Sequence, residues 1–156
     1  MIEETLKLAD RSKRFLGSLI DGLLMLIITI PILILTGILR PALQGKNPTA
    51  GQQFFSMLLG LAVFLILNGY LLAKKGQTIG KVVMKTRIVD TKGQRVPLGY
   101  LLFLRYLFLN LFVFLMSLVV SAMIASLIGG IDALFIFTED KRCLHDYIAG
   151  TVVIDA

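Results

Sequence analysis

The chain has 156 residues, 56% of them hydrophobic, and a formal net charge of +6; its mean hydropathy is +0.84. That is too apolar for a water-soluble domain of this length, so a small integral membrane protein of one domain is expected. A single cysteine, Cys143, and a single histidine, His145, exclude an internal disulfide and supply too few parts for zinc or Ser-His-Asp chemistry. Neither an enzyme nor a cofactor or bound metal is expected.

In chain order, the first apolar run covers about residues 15–39 and follows four basic residues, Lys7, Arg11, Lys13 and Arg14. It is longer than a signal peptide's core and shows no small-residue cleavage pattern, which predicts an uncleaved spanning helix. Within it lies Asp21. An aspartate at a helix centre costs roughly 2.5–3.5 kcal/mol on insertion scales, so its presence points to function. After a loop with two cations, Arg40 and Lys46, a second span is predicted over about 54–73. The 74–98 connection carries seven, Lys74, Lys75, Lys81, Lys85, Arg87, Lys92 and Arg95. Its alternating segment 85–90, the turn residues "DTKG" and Pro97 predict a short β-hairpin over about 82–97. "GQTIG" in this loop does not match a phosphate-binding loop.

The third apolar stretch, 98–138, would reach about 60 Å as one helix, twice the hydrocarbon thickness. It is expected to fold back between Ser117 and Ser126 into spans over about 99–119 and 122–138. Ser117, Ser121, Ala125, Gly129 and Ala133 form a small-residue stripe suited to close helix packing. In the tail, 139–156, "GTVVIDA" reads as a strand, and a lone hairpin is marginal in water. Thr151–Asp155 is therefore expected to pair with Thr86–Asp90. The fold class is thus an all-α membrane protein, a four-helix transmembrane bundle with a small cytoplasmic β-hairpin and tail element.

Lys and Arg concentrate before the first span, in the 74–98 loop and in the tail (Lys141, Arg142), so the positive-inside rule places both termini in the cytoplasm of a multi-pass cell (inner) membrane protein. The excess charge suits anionic lipid rather than nucleic acid, for which no aromatic-interleaved platform is present. Asp21 lies seven residues past Arg14, Asn68 five before Ala73, Asn110 five past Arg105 and Asp132 six before Thr138. At 1.5 Å per residue each predicted helix carries a polar group about 7–10 Å from its cytoplasmic end. Such groups normally face a bundle interior or a wet cavity, and two carboxylates with two amides suit a monovalent cation or a proton. The two asparagines serve equally well as packing links between helices. Asp21 has two candidate partners, Arg14 and Arg105; His145 beside Asp146 is a candidate proton relay or an anchor for the tail.

"RFLGSLID", "GQTIGKVVMKTRIVDTKGQRVPLGYLLFLRYL" and "LHDYIAGTVVI" resemble, over nearly the whole chain, the RDD family of bacterial membrane proteins, named for one arginine and two aspartates. The resemblance implies that Arg14 is the family arginine, Asp21 the first aspartate and Asp146 the second, with Asp132 a competing candidate. Gly17 departs from the family's usual alanine. Transport, including cation/proton exchange, is what the resemblance implies. A homo-oligomer is expected, because four helices enclose little room for a path. The alternatives are an accessory protein whose basic hairpin and tail bind a partner, and a scaffold that binds anionic lipid.

Overall fold

The computed structural model describes residues 6–120, 127, 131–132, 135–138 and 142–156. Among the described residues three helices are long and apolar enough to cross a membrane: α1 (Arg11–Leu35), α3 (Ala50–Lys75) and α5 (Leu98–Val119), with a short α2 (Arg40–Leu43) between the first two. The expected fourth span and the greater part of the small-residue stripe fall on residues outside the described set. Sequence physics explains the ends. α3 opens on a reciprocal capping box between Thr49 and Gln52 and closes on Gly76, whose φ of 65° is the left-handed conformation a C-terminal glycine supplies cheaply. The lipid-facing surfaces are apolar, with Ile27, Ile66 and Phe103 among the exposed side chains.

The first half of α5 is underwound: Leu101–Leu107 forms a π-helical stretch, a geometry frequent at functional sites. Arg105 and Tyr106 both lie within it.

At the basic end of the bundle sits a compact cap. Its short helix α4 (Ile79–Val83) packs across α1, and strand β1 (Thr86–Asp90) follows directly. A second short helix, α6 (Leu144–Ile148), leads into β2 (Thr151–Asp155). The strands pair antiparallel with Thr86 opposite Asp155 and Asp90 opposite Thr151, the segments expected from the sequence. Leu8 bridges to Ile154 and the Ala9 amide donates to the Val153 carbonyl, so the approach to α1 covers the other edge of β2. The hairpin expected over 82–97 does not form. After β1 the chain makes a tight turn in which Asp90 Oδ1 accepts from the Lys92 and Gln94 amides, and 91–97 contributes no strand. The β1 edge that a second arm would have used is taken instead by the Gly76–Gln77 corner: the Ile88 amide donates to the Gly76 carbonyl, and Gln77 Nε2 to the Thr86 carbonyl.

Strand alternation sorts the two apolar clusters. Ile88 and Val153 face the bundle, packing with Ala9, Leu72, Val96 and Leu101, while Val89, Val152 and Ile154 meet Leu6 and Leu8 on the outer face.

Candidate functional site

Asp21 makes no ion pair with Arg14 or Arg105. Its Oδ2 accepts from the Thr78 hydroxyl at 2.5 Å and its Oδ1 from the Gly80 amide at 2.7 Å. Asn68, fully buried in α3, accepts from the Ile79 amide through Oδ1 at 2.8 Å, and Thr78 Oγ1 reaches the Lys81 amide. A helix start leaves several backbone N–H groups without intrahelical partners. Here two neighbouring spans supply the acceptors, so Asp21 and Asn68 dock α4 onto α1 and α3. Gly80 permits the approach: a Cβ there would collide with the Gly17 carbonyl oxygen and lie 2.9 Å from the Asp21 carboxyl carbon. A methyl on Gly17 would meet the Gly80 oxygen at 3.3 Å, so an alanine there needs only a small adjustment.

Arg14 meets the tail aspartate instead. Asp146 is fully buried and accepts from Arg14 through Oδ2 and from Arg105 through Oδ1, both guanidiniums being buried as well. The Cys143 amide adds a bond to Oδ2 at 3.2 Å, and the Thr151 hydroxyl accepts from Arg105 at 2.6 Å while donating to Asp146 Oδ1 at 3.3 Å. Burial would raise the carboxyl's pKa, but Arg105, His145 and Arg14 outweigh it and hold Asp146 well below the usual carboxylate range. One carboxylate thus ties α1, α5, α6 and β2 together. Arg14 Nη1 and Arg105 Nε remain buried without hydrogen-bond partners among the described residues.

Asp132 belongs to a separate pair: it accepts from the His145 amide at 2.9 Å and lies 2.6 Å from His145 Nδ1. Burial and Arg105 lower the imidazole pKa against the pull of Asp132. Asp132, Cys143 and His145 hold potential metal-ligand atoms within 4.8 Å of one another, partners for the cysteine that the sequence did not reveal. The surroundings oppose a cation, because Arg14 Nη2 stands 3.8 Å from Cys143 Sγ and burial, with Asp146, pushes the thiol up to about 11. Asn110 donates to the Tyr106 carbonyl of its own helix at 2.7 Å. The four polar groups expected in one chamber are therefore distributed: Asp21 and Asn68 share α4, Asp132 holds His145, and Asn110 stands further along α5.

What unites the site is a cavity of about 170 Å³ lined by Arg14, Asp21, Lys81, Arg105, Tyr106 and His145, among others. Lys81 is the group sequence reasoning missed, having counted only as one of the loop's cations. Burial, with Arg105 second, lowers its pKa to about 8, against the pull of Asp21 and Asp146. Thr78, an N-cap residue before a short apolar run, was the available signal for α4. Phe64 and Tyr106, ring centroids 4.5 Å apart, also border a second cavity of about 180 Å³. That cavity shares Ser56, Met57 and Asn110 with a third, of about 340 Å³, which reaches Leu39 and Pro48 beyond the far ends of α1 and α3.

No curated protein and no solved structure matches the chain. The profile of the RDD family matches residues 8–150, a stretch that contains Arg14, Asp21 and Asp146 with all three spanning helices. The chain belongs to the RDD family, whose members are membrane proteins.

Proposed function

We propose that the protein is a small transporter that exchanges a monovalent cation for a proton, with Asp21 as the cation ligand and Lys81 as the proton carrier. The observation that carries this reading is the placement of both groups in one polar cavity at the end of a series of cavities running along the bundle. Each Asp21 oxygen accepts one hydrogen bond and keeps capacity for another contact. A protonated Lys81 and an incoming cation compete for that carboxylate. Because Lys81 loses its proton near pH 8, cation entry expels a proton. The Phe64–Tyr106 pair is the partition between this chamber and the next cavity. The positive-inside rule puts the chamber on the cytoplasmic side.

Flux into proteoliposomes under an imposed pH gradient, with Li⁺, Na⁺ and K⁺ offered in turn, tests the reading. With an acid interior, the native chain is expected to take up cation as protons leave down their gradient. Asp21→Asn should abolish it while keeping one acceptor for α4, at a cost of about 1–3 kcal/mol for the unmatched donor. Lys81→Gln should leave cation movement that no longer follows pH. Absence of flux from correctly folded native protein with every cation rejects transport and leaves the accessory role.

A further inference from the structure

Away from the cavity series, a separate pocket of about 250 Å³ opens between the C-terminal end of α3 and strand β1. Lys74, Lys75, Arg87 and Arg95 line it together with Gln77. Four cations face this space, and the one anionic group among the lining residues is the main-chain carboxylate of Ala156, which makes no ion pair with any of them. None of the four has an ion pair or side-chain hydrogen bond among the described residues. The nearby acids are committed elsewhere: Asp90 caps its own turn and Asp155 pairs with Lys13 at 2.7 Å. One carboxylate against four cations leaves a net positive charge of three in the space, which attracts an external anion.

The backbone that carries these side chains is held in place. Gly76 in its left-handed conformation, the Ile88 amide on the Gly76 carbonyl and Gln77 on the Thr86 carbonyl lock β1 against the end of α3. The Asp90 turn fixes the approach to Arg95: the Asp90 amide donates to the Gln94 carbonyl, and Asp90 Oδ1 accepts from the Gln94 amide. Lysines from a helix end and arginines from the sheet are thereby presented to one space. Guanidinium forks match phosphate oxygens in pairs, and lysines add charge. Lys74 and Lys75 also end the apolar run of α3, so the pocket opens at the level of lipid headgroups.

We propose that this pocket is a binding site for a phosphate group, carried by an anionic lipid headgroup or by a soluble phosphate. The test uses the detergent-solubilised full chain, its unfolding temperature followed while phosphatidylglycerol is titrated against phosphatidylcholine, and inorganic phosphate against chloride at matched ionic strength. Arg87→Gln with Arg95→Gln is compared with Arg40→Gln plus Lys46→Gln, which removes the same charge from exposed positions at the opposite end. All four are exposed, so folding is expected to survive in both. A thermal shift with phosphatidylglycerol, weakened about tenfold or more in apparent affinity by the first double variant and unchanged in the second, supports a headgroup site. The same discrimination with inorganic phosphate alone supports a site for soluble phosphate. No shift with either probe, or equal weakening in both double variants, overturns the proposal and leaves the cations as topology signals.

Discussion

Asp146 illustrates how one buried charge can organise a small membrane protein. Its two guanidinium partners come from helices far apart in sequence, and removing it leaves both of them buried without their carboxylate. Asp146→Asn is expected to cost about 3–5 kcal/mol, the usual penalty for breaking a buried ion pair from one side, measured as a fall in unfolding temperature in detergent. Because its pKa is depressed, the stabilisation persists throughout the range above ordinary carboxylate values and is lost only as pH falls through the lowered one. Lys81, lowered as well, gives a slope of the same sign, but as a penalty relieved rather than a stabilisation gained. The unfolded chain holds that proton more tightly, so the penalty is full below about 8 and is relieved as pH rises toward the ordinary 10.5. Unfolding followed across this range should show stability rising with pH, and Lys81→Gln should flatten that slope.

α4, five residues long, is too short to be stable by itself and exists because its neighbours complete it. Asp21 and Asn68 supply acceptors from two spans, and the Gly17–Gly80 crossing lets the backbones meet. Gly80→Ala should therefore be far more damaging than Gly17→Ala. A Cβ at Gly80 can be accommodated only by moving α4 off α1, which breaks the Asp21 contacts; comparing the folded yield and unfolding temperature of the two variants checks this. The β-hairpin expectation failed at the same scale. Residues 85–97 carry turn and alternation signals for two arms, but β2 holds one edge of β1 and the Gly76–Gln77 corner the other, so no edge is left for a second arm.

Across the whole molecule, the pairing of β2 with β1 puts the tail at the end of the bundle where α5 begins, and an even number of crossings is therefore expected. A cysteine introduced as Ala156→Cys on a Cys143→Ser background should be labelled by an impermeant reagent only after the cytoplasmic side is opened; labelling in intact cells would contradict that topology. Native Cys143 is unsuited to this experiment, being buried with its thiol pKa raised. The cavity series belongs to the same scale, since no single helix defines it and Phe64 and Tyr106 meet only when α3 and α5 pack.

Much of this was written in local sequence. Hydropathy and length alone determine the spans, because lipid demands that a crossing backbone satisfy itself as a helix, and composition alone excludes a soluble domain. Period-2 alternation marked β1 and the run "GTVVIDA" marked β2, and their pairing followed from a lone hairpin's being marginal in water. The polar groups at similar helix depth were also visible, but not their company. Whether Asp21 would meet Arg14, Asp132 or a backbone amide depends on helix rotation and on which loop folds back between helices, and no local pattern encodes either. Only the tertiary structure gave Asp146 to both arginines, Asp21 and Asn68 to the start of α4, and Lys81 to the cavity, because each of those contacts is a choice among several equally charged candidates settled by how the packed backbones approach.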